Sequence, residues 1–377
     1  MRQTRWRIAA LLSAALVAAC GGGDDKVQVN SVVSFGDSIS DAGTYRVGTI
    51  AALGGGQFHV NGPQGLTWTQ VLATTLGAPA QCAAQTGMLP NNGTMGAPVQ
   101  NFANCFNYAQ GSSRVSSSGT GPNGVALQTA FAEQNLGFMA ISLKAQIETH
   151  LTKTGGSFGR NDLVTFNAGG NDAFMQLLAV SSAIGGGPAA VATGTVAGWP
   201  QATLDAVAAG GTDAVNTAVA AAVGAMAQAG AELAGYIKTM VVGKGARYVI
   251  VRNLGSLNGT PFGATLDAGT QGLITAMTVA FNTSLKDGLA GTSGVILYDD
   301  YGANAPNPAD YSNFTTPACG PNAFGSPVGP SIVCNTGNLI AGDASKFFFA
   351  DDVHPTPYAH QRAAATALSL MAKAGWQ

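Results

Sequence analysis

Three short strings hold the residues of this chain that could do chemistry together. Ser38 stands in Phe35-Gly36-Asp37-Ser38-Ile39-Ser40-Asp41, Asn171 in Gly169-Gly170-Asn171-Asp172, and His354 in Asp351-Asp352-Val353-His354-Pro355-Thr356. A serine hydroxyl is a poor nucleophile near neutral pH and needs a base within hydrogen-bond reach. His354 is one of four histidines, with His59, His150 and His360. Asp351 lies three residues before it, a spacing that lets a carboxylate hold the imidazole in one tautomer. Asp352 is the competing carboxylate and is expected to point away or to cap the helix that follows. A side-chain amide beside glycines, as at Asn171, can donate to a developing oxyanion, and so can the backbone N–H of Gly111. Taken singly, each string reads as a turn. Together they supply the parts of an acyl-transfer site. His59 could border that site, and His360 reads as an ordinary residue of a terminal helix.

These groups need elements to hold them. Residues 31–35 form a β-rich run that stops at Gly36, and residues 162–167 form a second one that runs into Gly169. Residues 247–252 and 295–298 are two more strands, and residues 106–109 a short further one. Helical spacing covers residues 68–76, 141–152, 213–242, 266–289 and 355–374. Strands alternating with helices argue for a parallel sheet covered on both faces, with active groups at the carboxyl ends of the strands. Residues 78–104 read as a long loop. Residues 181–211 are low-complexity Ala/Gly sequence, read as an insertion. A membrane-spanning reading of residues 213–242 fails, because Asp213, Asn216, Gln228 and Glu232 interrupt it.

The chain has 377 residues, only 10% of them charged, and a formal net charge of -2. It has no basic run, which excludes nucleic acid as a partner. Arg2, Arg5 and Arg7 precede a 12-residue run, apolar apart from Ser13, that is too short to span a bilayer. That run ends Leu16-Val17-Ala18-Ala19-Cys20, which resembles a bacterial lipobox. The expected division is a signal peptide over 1–19, a lipidated Cys20 opening a tether over 20–30, and a single domain over 31–377. Gly21 after the lipidated cysteine predicts outer-membrane sorting, facing the periplasm or the surface; plain secretion is the alternative. Loss of the three arginines leaves 14 basic against 19 acidic residues. The remaining cysteines are Cys82, Cys105, Cys319 and Cys334. An export signal permits disulfides. Cys82–Cys105 and Cys319–Cys334 are the expected pairs, since each brackets one Gly/Pro/Asn-rich loop. A metal site is not expected, because no Cys-x-x-Cys or nearby His pair exists.

The strings also resemble the SGNH/GDSL-type hydrolases, in the longer branch of secreted bacterial esterases and plant GDSL lipases. Residues 35–41 match the first block, with Ile39 for the usual leucine. Asn107-Tyr108-Ala109-Gln110-Gly111 resembles the second block, where Ser112 replaces a second glycine. Gly170-Asn171-Asp172 matches the third block, and Asp351-x-x-His354-Pro355 the last. The resemblance implies a flavodoxin-like three-layer α/β/α sandwich with no metal and no cofactor. It implies Ser38 as nucleophile, His354 as base and Asp351 as its support. It also implies N–H groups of Ser38, Gly111 and Asn171 as the oxyanion hole. The expected function is ester hydrolysis through an acyl-enzyme, by a monomer held to a membrane by its lipid. Phospholipase or acyltransferase activity is the alternative, and a non-catalytic surface binding protein a remoter one. The last helix is expected to close the chain, with no β-barrel translocator appended. Because residues 43–65 and 111–124 are polar and glycine-rich, short- to medium-chain acyl groups are the expected substrates.

Overall fold

The computed structural model describes residues 27–89, 96–115 and 138–376. The expected signal peptide, Cys20, most of the expected tether and residues 116–137 lie outside the described residues. The centre is a parallel sheet of β1 (Ser31–Gly36), β4 (Asp162–Asn167), β5 (Tyr248–Arg252) and β6 (Val295–Tyr298), in the order β1-β4-β5-β6. Alternation along these strands sorts side chains to the two faces. Val32, Leu163 and Ile250 join Trp68, Leu72, Ala364 and Met371 in one core cluster. Those partners come from α2 (Trp68–Thr75) and α10 (Pro357–Lys373). Val33, Phe35, Val164, Phe166, Val249 and Val251 enter the larger cluster on the other face. That face is covered by α3 (Leu143–Lys153), α4 (Gly170–Gly185), α7 (Thr212–Tyr236) and α9 (Ala268–Leu289). The result is a three-layer α/β/α sandwich.

The strand expected over residues 106–109 is reduced to a single parallel bridge, Ser34 with Asn107. Two backbone bonds make it, Ser34 N–H to Phe106 O at 3.0 Å and Tyr108 N–H to Ser34 O at 2.8 Å. Counted as an edge strand, it gives the flavodoxin order 2-1-3-4-5. The long loop over 78–104 instead carries a small antiparallel pair, β2 (Gln85–Met88) and β3 (Ala97–Asn101). The polar, glycine-rich residues 43–65 contain one short helix, α1 (Gly48–Ala52). The low-complexity Ala/Gly stretch folds as the end of α4, then α5 (Gly187–Ala197) and α6 (Gln201–Ala209). Alanine favours helix where no other feature decides. α7 is long and apolar enough to cross a membrane. Yet Ala214, Ala218, Ala222, Met226 and Leu233 are buried, and the helix packs on α4 and α9. It ends earlier than its spacing predicts, in a π-helical turn, Ile237–Val241.

Both expected disulfides are present, Cys82–Cys105 and Cys319–Cys334. Such bonds mark an extracytoplasmic protein.

Candidate active site

Gly36 ends β1 at a place where any side chain would collide. A Cβ there would lie 2.6 Å from Asn167 O. Gln146 from α3 grips the peptides on both sides of Gly36, accepting from Gly36 N–H and donating to Gly36 O, each at 2.8 Å. Asp37 Oδ1 then accepts from Ile39 N–H at 3.1 Å, and Ser40 N–H returns to Asp37 O. This tight turn sets Ser38 at the carboxyl end of the strand.

His354 arrives from the far end of the chain. Thr356 caps α10, accepting from Ala359 N–H, and Pro357 occupies the first turn. The capping role considered for Asp352 therefore falls to Thr356, because a hydroxyl at that position reaches the free N–H. The backbone carbonyl of Asp352 accepts from Phe262 N–H. Asp351 takes the imidazole instead, with Nδ1 2.9 and 3.0 Å from its two carboxylate oxygens. His354 Nε2 lies 2.9 Å from Ser38 Oγ. The hydroxyl, the ring and the carboxylate form one continuous chain.

The Asp351 carboxylate also accepts from the backbone N–H groups of Val353, His354 and Ser331. Burial opposes its ionisation, but His354 and these hydrogen bonds outweigh it and hold its carboxyl well below the usual carboxylate range. Asp37 shows the opposite balance. Burial pushes it up to about 7 despite the Ile39 N–H and the nearby His354 and Arg252.

Ser38, Ser112, Asn171 and His354 line one cavity of about 240 Å³. Asn171 Nδ2 donates to Ser113 O at 3.0 Å, which leaves its second N–H. Asp172 beside it ties down the same loop, bonding Val115 N–H and pairing with Arg114 at 3.4 Å. Gly111 was expected to offer its backbone N–H. Its N–H donates to Asp41 Oδ2 at 3.0 Å and is spent there. Phe58 lies against it, so close that a Cβ would sit 2.2 Å from the ring. The residue that lines the cavity is Ser112, in a left-handed conformation with φ +66°. No described residue accepts its N–H, nor that of Ser38. The motif's spacing held this signal, since Ser112 occupies the place of the second glycine.

His59 is fully buried and does not line the cavity; its Nδ1 bonds Val60 O at 3.0 Å. His360 is structural, its Nδ1 accepting from Trp68 N–H at 3.2 Å. Phe174 lines the cavity, and the sequence reading missed the rest of its aromatic wall, Phe58, Tyr301, Phe314, Phe348 and Phe349. It also missed the buried Arg252–Asp300 ion pair at 2.7 Å, whose residues line the same cavity. Among the described residues no cluster of His, Cys, Asp or Glu could hold a metal ion.

A nucleophile, a base with an oriented ring, and N–H donors around one cavity are the equipment for displacement at an acyl carbon. No curated protein matches the chain in sequence. A family model for the GDSL-like lipase/acylhydrolases matches residues 32–367, and so spans both ends of this site. The chain belongs to the GDSL-like lipase/acylhydrolase family, hydrolases of ester substrates built on the SGNH hydrolase fold.

Proposed function

We propose that this protein is a serine hydrolase of carboxylic esters that works through an acyl-enzyme. The observation that carries the reading is the unbroken chain Ser38–His354–Asp351 in the wall of a largely apolar cavity. Ser38 Oγ attacks the ester carbonyl while its proton passes to His354 Nε2. The Asp351 carboxylate, ionised throughout the working range, steadies the ring and the charge it gains. The carbonyl oxygen, now negative, takes N–H groups from Ser38, Ser112 and Asn171, with Ser112 in the place first given to Gly111. Collapse expels the alcohol, which leaves with the proton from His354. Water, deprotonated by the same imidazole, then releases the acid and frees Ser38.

The cavity also bears on the substrate. Phe174, Leu254, Leu257 and Val353 offer an apolar wall, and Phe314, Phe348 and Phe349 add aromatic bulk. A space of about 240 Å³ suits an acyl group of short to medium length. We place this activity in one domain over 31–377, tethered through a lipidated Cys20 in the outer membrane, as a monomer. The sequence around Cys20 supports the anchor, and the disulfides fit an exported protein.

A fluorophosphonate probe tests the reading directly. The wild-type protein is expected to be labelled at Ser38 and to cleave p-nitrophenyl butyrate, and Ser38→Ala to do neither. Normal turnover by Ser38→Ala overturns the mechanism. Across butyrate, octanoate and palmitate esters, kcat/KM is expected to be lowest for palmitate, and the reverse order refutes the acyl-length assignment.

A further inference from the structure

The peptide unit joining Gly111 to Ser112 has one anchored edge. Its carbonyl oxygen accepts from Tyr45 Oη at 3.1 Å. In a trans peptide the C=O and the N–H point in opposite directions. The only cis bond among the described residues is Ser326–Pro327. Whatever fixes Gly111 O therefore fixes the direction of Ser112 N–H, away from Tyr45, on the residue that lines the cavity.

We propose that Tyr45 is a positioning residue for ester hydrolysis: its hydroxyl sets the plane of the 111–112 peptide and so aims Ser112 N–H at the oxyanion. This rests on the oxyanion role proposed above for Ser112.

The tyrosine is built to do this. Its hydroxyl oxygen accepts from Ala140 N–H at 3.2 Å, which turns the hydroxyl hydrogen towards Gly111 O. The ring is fully buried and stacked on Phe138, with centroids 4.0 Å apart. Phe58 meets it edge-on and itself lies against His354, at 5.1 Å between centroids. Burial raises the phenol well above its ordinary pKa, so it remains a donor at working pH. The same stretch of chain grips the loop at two other points. Asp41 takes Gly111 N–H, and Thr44 Oγ1 donates to Ala109 O at 3.1 Å. A left-handed serine is an uncommon conformation that needs such outside support.

Tyr45→Phe keeps the ring and removes only the hydroxyl. Counted per titrated active site on p-nitrophenyl butyrate, kcat is expected to fall about tenfold or more, with KM within about twofold. The inhibition constant of an alkyl boronic acid, whose adduct on Ser38 carries an oxyanion, is expected to rise by a similar factor. A merely structural tyrosine would lower the melting temperature or the number of titratable sites and leave the boronic acid constant unmoved. That outcome, or an unchanged kcat per site, overturns the proposal. Should Tyr45→Phe yield no titratable sites, Asp41→Asn, which releases Gly111 N–H on the same loop, is read by the same two constants. Ser38→Ala separates the two levels. If it abolishes turnover while Tyr45→Phe has no effect, the positioning role fails and the hydrolase reading stands. If Ser38→Ala turns over normally, both fail.

Discussion

The rim of the sheet that carries the site and the helical cover beneath it are held by different forces. On the rim, side chains bond to backbone in fixed directions. Asn61 Nδ2 alone reaches the carbonyls of Gln57, His59, Ser331 and Cys334, at 2.9–3.0 Å. Asn107 Nδ2 reaches Ser40 O, and Gln146 brackets Gly36. In the cover, α7 and α9 meet through small residues. A Cβ on Gly230 would lie 2.2 Å from Phe281 O, and one on Gly288 2.5 Å from Ala234 Cβ. Direction specifies the rim and volume specifies the cover. Damage to the rim should therefore appear first in turnover, and damage to the cover first in stability.

The largest expected effect lies on the rim. Asp351→Asn cannot hold the imidazole in its working tautomer, and kcat should drop by about 10⁴. Asp352→Asn, one position along, should stay within about threefold. Equal losses in the two variants would break the contrast and reassign the carboxylate.

The two disulfides sharpen it. Cys319–Cys334 closes a 15-residue separation that contains Ser331, whose N–H holds Asp351. Replacing both of these cysteines by serine should lower stability by about 3 kcal/mol. It should also reduce kcat in the protein that remains folded. The Cys82–Cys105 double serine variant should show a stability loss of similar size with kcat retained. Denaturant midpoints and kcat per active site check both.

On the cover, Gly230→Ala gains about 1 kcal/mol of helix propensity. It forces backbone apart at Phe281 O, which costs more, up to about 3 kcal/mol. The variant should unfold at lower urea with an unchanged kcat. A stabilised Gly230→Ala would show that the α7–α9 contact is not limited by volume.

The smallest effect is one of slope. Burial lowers His59 to about 4, so the folded state prefers it neutral. Its contribution is complete above the unfolded value of about 6.5 and is lost as pH falls towards 4. Asp41 acts in the opposite sense. Burial raises it to about 6, and stability from its protonated form is lost as pH rises from about 3.8 to 6. Between pH 7 and 4, His59→Gln should flatten the acid fall in urea midpoint, and Asp41→Asn should steepen it.

Ser38, Asp351 and His354, which the structure brings into one hydrogen-bonded chain, were legible in the sequence because each sits in a local motif. Asp351 and His354 are three residues apart, and Ser38 follows its strand directly. The strands over 162–167 and 295–298 were legible too, because apolar β-rich runs bounded by Gly or Asp have few other readings. The cavity wall was not. Phe58, Phe314 and Phe348 come from distant stretches, and only tertiary packing brings them together. Composition averages such residues away, so a chain with 7% aromatics still presents an aromatic wall. The partner of Gly111 N–H was not legible for a related reason. Its motif position suggested a free N–H, and only the fold brings Asp41 to occupy it.

Ser38 and His354 stand 316 residues apart in the chain. Synthesis at roughly 5–20 residues per second makes Ser38 about 15–60 s before His354. On the proposed mechanism, an unfinished chain carries an inert serine throughout that interval. On the same mechanism, a fragment ending before His354 lacks the base that activates Ser38. On that mechanism the order of residues along the chain acts as a timer, with hydrolysis starting only once His354 reaches Ser38.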